Sequence, residues 1–154
     1  MPRSPLTSRL TERIIPRTAV RQESGFYQKL KTLIQKNKPK WIITRLETWA
    51  LPGVPDLLIC DGAGKLHLVE LKFTTSKVVA LSPHQVSFLV KHKKASVWIM
   101  VYKSQVRKSN EQEVFLYHGK DAVDVRMEGL EIEPVYYADA TKDWSDILNL
   151  ISKK

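Results

Sequence analysis

The sequence predicts an α/β fold in which helices flank a mixed β-sheet, and three observations carry that expectation. Short β-branched and aromatic runs in the first half are separated by turn-forming residues at hairpin spacing. A helix signal then precedes a strongly apolar strand, the order that lays helices on a mixed sheet. Apolar stripes of helical period stand near both ends of the chain. With 154 residues, 43% of them apolar, the chain is the size of one domain with a real core.

In order, residues 1–20 carry Arg3, Arg9, Arg13 and Arg17 with three prolines and little periodicity, which reads as a basic flexible arm that orders on a partner. The domain is expected over 21–154. From Arg21 to Lys36, Phe26, Leu30, Leu33 and Ile34 fall on one helical face, and Asn37-Lys38-Pro39 ends it. Trp41 to Trp49 reads as a strand and Leu51-Pro-Gly-Val-Pro as a sharp turn. Leu57–Cys60 and Leu66–Phe73 are strands joined by Asp61-Gly-Ala-Gly-Lys, a hairpin connection. Alternation puts Leu66, Leu68, Glu70 and Lys72 on one face, with His67, Val69, Leu71 and Phe73 on the other.

Ser82-Pro83-His84-Gln85 opens the next helix with an N-cap serine, a proline at the first position and a capping-box glutamine. Ala95–Tyr102 is an apolar strand, Lys103–Gln112 a polar and basic loop, and Val114–Tyr117 a further strand. A short helix over 119–128 stops at Gly129. Glu131–Tyr137 reads as an edge strand, because Pro134 would break a central ladder. The last helix starts at Asp143 and buries Trp144, Ile147, Leu148 and Ile151.

Composition bounds the function. Apolar runs are interrupted well short of about 18 residues, so no transmembrane helix and no membrane partner are expected. The single cysteine, Cys60, excludes an internal disulfide and a cysteine-rich zinc site, which fits a reducing, cytoplasmic setting. The net charge of +9 lies wholly in residues 1–45, where eleven Lys and Arg face Glu12 and Glu23. Such a distribution suits an anionic partner, nucleic acid above all, and also suits a plain basic tail. Absence of a P-loop or a Gly-x-Gly-x-x-Gly run argues against a nucleotide cofactor.

Chemistry concentrates between Gly53 and Lys72. Asp56, Glu70 and Lys72 interrupt apolar runs, and a buried charge needs a reason to be there. Two carboxylates on paired strands can hold Mg²⁺, which takes oxygen ligands and keeps several waters. A lysine two residues after the second carboxylate shares its face and can steady an attacking water or phosphoryl charge. The plain alternative is a structural ion pair at a strand end. Glu23 leans toward the buried helix face or serves the helix dipole. Gln85 is a capping residue or a site residue. Glu47 approaches the site or sits in solvent. His67 reads as a satisfied or exposed histidine, and His92 and His118 as surface residues. No Ser or Cys stands near a histidine at a spacing that signals a nucleophile triad.

Pro55-Asp56, thirteen residues, then Glu70-Leu71-Lys72 resembles the motif of the PD-(D/E)XK nuclease superfamily, and the element order over roughly residues 21–102 resembles its α-β-β-β-α-β core. The nearest likeness is to Holliday-junction resolvases and small virus-type replication-repair nucleases. That resemblance implies a restriction-endonuclease-like fold with C-terminal additions and a metal-dependent endodeoxyribonuclease acting on branched DNA in recombination or repair. It implies Asp56, Glu70 and Glu23 at Mg²⁺, with Mn²⁺ substituting, Lys72 on the water and Gln85 in support. A sequence-specific or non-specific endonuclease, or an inactive DNA-binding module, fits the same motif. DNA contacts are expected from Arg13, Arg17, Arg21, Lys77, His84, Lys91, Lys93 and Lys94, with Arg107 and Lys108 beside them. Two coordinated cuts at a junction imply a homodimer.

Overall fold

The structure, a computed structural model, describes residues 17–47, 50–105 and 108–153, and of residues 17–22, 108 and 109 it describes the backbone alone. Helix α1 covers Arg17–Asn37, so residues 17–20, expected in the arm, are helical. Strands β1 (Ile42–Arg45), β2 (Leu57–Cys60) and β3 (Leu66–Thr74) follow, then α2 (Pro83–Lys91) and β4 (Val97–Gln105). Strand β5 (Lys108–His118), a short helix α3 (Ala122–Glu128), β6 (Tyr136–Asp139) and α4 (Asp146–Lys153) complete the chain.

The six strands form one mixed sheet in the order β1-β2-β3-β4-β5-β6. Only β3 and β4 run parallel, joined through α2, and every other neighbour is antiparallel. Alternation sorts the core into two layers. Leu57, Ile59, Val69, Leu71, Trp98, Met100 and Leu116 face α1 and α4, where Phe26, Leu30, Ile34, Trp144, Ile147 and Ile151 meet them. Val97, Ile99, Val101, Phe115 and Tyr117 face Leu89 of α2 and Val125 of α3. Strand β3 is thus covered on both sides, as its doubly apolar pattern requires.

Four expectations about elements are corrected. The first strand, read over Trp41 to Trp49, covers Ile42–Arg45, and residues 48 and 49 lie outside the described residues. Lys103–Gln112 is the end of one long hairpin, not a loop: Lys103 pairs with Glu113 and Ser104 with Gln112 in the ladder. Both strands there carry polar side chains, and a Lys103–Glu113 ion pair at 3.7 Å crosses between them. The edge strand lies at Tyr136–Asp139, past Pro134, because residues 129–131 form a 3₁₀ turn first. The final helix starts three residues after Asp143, whose side chain instead accepts the Ser145 N–H at 2.9 Å. No helix among the described residues is long and apolar enough to cross a membrane.

The hairpin between β2 and β3 is locked from beneath. Asp61 Oδ1 accepts the Ala63 and Lys65 N–H groups at 2.9 and 3.0 Å. Its Oδ2 meets His67 Nε2 at 2.8 Å, and His67 Nδ1 lies 2.5 Å from Ser96 Oγ, which also accepts from Trp98 Nε1. The hydrogen bond from His67 holds the Asp61 carboxyl below the usual range. His67 is fully buried and satisfied, so an Asp-His-Ser alignment that spacing does not reveal serves to pin the turn to the start of β4. His118 is also no surface residue: it is half-buried and stacks on Trp98 with ring centroids 4.7 Å apart.

Candidate active site

The site forms where β2 parts from β3. Pairing between these strands runs from Cys60↔Leu66 to Leu57↔Val69 and stops there, leaving the next N–H of β3 on that side, that of Leu71, without a strand partner. Asp56 supplies one: its Oδ2 accepts the Leu71 N–H at 2.8 Å. The Asp56 carbonyl in turn accepts the Leu46 N–H at 2.7 Å, so the exit of β1 and the entry of β2 are tied together at this residue. Asp56 therefore sits beside the Glu70-Leu71-Lys72 stretch because the ladder ends there and a carboxylate completes it.

Glu70 lies on the α2 side of β3 and is only 1% exposed. Its Oε1 receives the Gln85 Nε2 donor at 2.6 Å and stands 3.5 Å from Lys72 Nζ. Its Oε2 is buried with no hydrogen-bond partner. Burial and the neighbouring Asp56 hold the Glu70 carboxyl up at about 8, against the pull of Lys72. Burial also raises Asp56, opposed by the Leu71 N–H, Lys72 and Arg45. Glu23 is raised by burial as well, opposed by Lys72, pushed further by Asp56 and opposed again by Arg45. Three carboxylates thus share one field with two cations. Glu23 comes to it from α1, which packs on the sheet face opposite Glu70, so it does not share the Glu70 face of the sheet.

Gln85 holds both roles that the sequence left open. Its Oε1 accepts the Ser82 N–H at 2.9 Å while Ser82 Oγ accepts the Gln85 N–H at 3.1 Å, a complete capping box. The remaining carboxamide donors face Glu70. The helix is set against the loop that carries Asp56 by Gly53, whose φ of +90° suits glycine and whose missing side chain would fall 2.3 Å from the His84 carbonyl oxygen.

The expected DNA contacts are not gathered at this point. Lys91 at the far end of α2, roughly 9 Å of helix away from Gln85, and Lys93 and Lys94 just past it are exposed. Lys77 is ion-paired with Glu131 at 2.8 Å, which offsets its charge toward a phosphate. His84 is exposed in the first turn of α2, near the site. Arg13 and Arg107 lie outside the described residues, as do the side chains of Arg17, Arg21 and Lys108. Glu47 is exposed beyond β1. Arg45 is the member of the site that the sequence did not single out, since an exposed arginine on an edge strand looks like any solvated charge.

Among the described residues, no three His, Cys, Asp or Glu side chains converge closely enough to form a cation cage. Mg²⁺ does not need one, because it binds through one or two carboxylates and retains waters. The buried, partnerless Oε2 of Glu70 beside Asp56 fits such a ligand set, and a cation would remove the cost of ionising Glu70 there. No protein family model, curated protein or solved structure matches the chain.

Proposed function

We propose that the protein is a metal-dependent endodeoxyribonuclease of PD-(D/E)XK type on a restriction-endonuclease-like core, acting on branched DNA as a homodimer. The observation that carries the reading is the buried Glu70, with one oxygen bound by Gln85 and close to Lys72 and the other left without a partner. The element order α1-β1-β2-β3-α2-β4, with Asp56 at the entry of β2 and Glu70 on the adjoining β3, supports it. The basic excess of residues 1–45 supports an anionic substrate.

Asp56 and Glu70 would hold Mg²⁺ or Mn²⁺, which when bound supplies a charge sink for the phosphoryl oxygens and lowers the pKa of water. The Lys72 ammonium donates to the attacking water oxygen and offsets charge that builds on the phosphoryl group. Water adds to phosphorus as the bond from phosphorus to the sugar oxygen of the leaving strand breaks, the proton lost by the water passing to solvent and the departing sugar oxygen taking one up from solvent. Gln85 orients Glu70 through its carboxamide, and the capping box fixes Gln85 in turn. Glu23 accepts hydrogen bonds from waters at the rim of the site.

A labelled four-way junction, a linear duplex and a supercoiled plasmid, each incubated with Mg²⁺ and with EDTA, test the reading. Symmetric nicks across the junction with the linear duplex intact are expected. Equal cutting of the duplex would select a sequence-specific or non-specific endonuclease, and binding with no metal-dependent cut would select an inactive binding module.

A further inference from the structure

Strand β1 forms one edge of the sheet and, among the described residues, pairs with β2 alone. Its register sets Ile43 against Ile59 and Arg45 against Leu57, so Trp41, Ile43 and Arg45 alternate onto the α1 side. Trp41 and Ile43 lean on the core without being covered by it, and both stay partly exposed. Lys38 Nζ lies 6.0 Å from the Trp41 ring centroid, and Lys40 and Gly62 help line an open pocket of about 270 Å³ beside that ring. At the other end Arg45 is exposed with its guanidinium 5.2 Å from the Tyr27 ring centroid, and its neighbour Leu46 donates to the Asp56 carbonyl. An aromatic face with flanking lysines and an arginine held on an aromatic platform are thus spaced along one open strand by about 13 Å.

We infer that this edge is a track for a single-stranded stretch of DNA leading to the candidate active site. Arg45 binds the backbone phosphate beside Asp56, and Trp41 with Lys38 receives a base and its phosphate a few nucleotides away. Stacking on an exposed ring and charge on the backbone are the two contacts that bind single strands without reading sequence. Tyr27 limits the freedom of the guanidinium, so it is presented rather than left to sweep solvent. The inference rests on the nuclease reading for its direction toward Asp56, whereas the binding itself needs neither cation nor cleavage.

Fluorescence anisotropy of a labelled oligo-dT strand in EDTA, against a duplex of equal length, tests it. Trp41→Leu, which keeps apolar bulk against the core, should weaken single-strand binding about ten-fold, and Trp41→Phe should restore most of it. Arg45→Ala should weaken binding and lower the salt slope by about one phosphate contact. Duplex affinity should barely move in Trp41→Leu, because paired bases do not present a face to the ring. Single-strand affinities of Trp41→Leu and Arg45→Ala equal to wild type, with melting curves that show folded protein, would overturn the track. Cleavage by Glu70→Ala at the wild-type rate would overturn the nuclease reading while leaving these binding results intact.

Discussion

Gln85 Nε2 donates to Glu70 Oε1 at 2.6 Å while the other end of the same carboxamide accepts the Ser82 N–H at 2.9 Å. One side chain thus ties the start of α2 to the most deeply buried carboxyl of the candidate site. The cap and the site are separable by mutation. Ser82→Ala should cost about 1 kcal/mol of stability and leave cleavage nearly intact. Gln85→Ala should cost about 1–2 kcal/mol and also lower cleavage, because Glu70 loses its donor. Chemical denaturation and junction cleavage of both variants check the split.

The Glu70 carboxyl gives the cation-free protein a defined pH response. Its folded pKa of about 8 stands above the unfolded value of 4.5, so folding favours the protonated form. The contribution is complete below about pH 4.5 and is lost as pH rises through about 8. Asp56 and Glu23 are shifted in the same direction. Glu70→Gln should therefore be more stable than wild type at pH 9 in EDTA by a few kcal/mol, and close to wild type at pH 5. Urea unfolding at the two pH values measures this, and a constant difference would contradict it.

Cation binding should follow from the same shift. At pH 7 Glu70 holds its proton without a cation, so Mg²⁺ or Mn²⁺ must displace it. Calorimetric titration in buffers of different ionisation enthalpy should register proton release at pH 7 and little at pH 9.5. Affinity should rise with pH between these values, and Asp56→Ala should weaken it at both.

Gly53 spaces the Asp56 loop from α2. Gly53→Ala forces a Cβ to within 2.3 Å of the His84 carbonyl oxygen at a φ of +90°, so the loop or the helix start must move. We expect a loss of about 1–3 kcal/mol in stability and a fall in cleavage greater than that loss explains at low temperature. Thermal melts paired with rates at 15 °C separate the two effects.

The buried His67 is a structural test with no bearing on catalysis. His67→Ala leaves Asp61 Oδ2 without its partner, takes one partner from Ser96 Oγ and empties a buried volume on the α1 side of β3. It should cost about 2–4 kcal/mol, and hydrogen exchange should quicken first at the Ala63 and Lys65 amides of the hairpin turn.

Local signals carried much of the fold. Alternation in β3 sorted its faces, the Ser82-Pro-His-Gln start placed α2 to the residue, and helical spacing found the buried stripes of α1 and α4. Asp56 and Glu70 were legible because charge inside an apolar run is unusual. What escaped depends on register or distance. Ser104 and Gln112 look like loop residues until paired across a hairpin. Asp61, His67 and Ser96 meet only because β3 lies beside β4, and Arg45 becomes a site residue only through its pairing with Leu57 next to Asp56.

The most direct test is nicking of supercoiled plasmid and four-way junction by wild type, Glu70→Ala and Lys72→Ala, with Mg²⁺ and with EDTA. Wild type should cut only with the cation, and both variants should fall by at least about 10²-fold while remaining folded and able to bind. Cleavage by Glu70→Ala at the wild-type rate, or no cation-dependent cleavage by wild type on either substrate, would contradict the account.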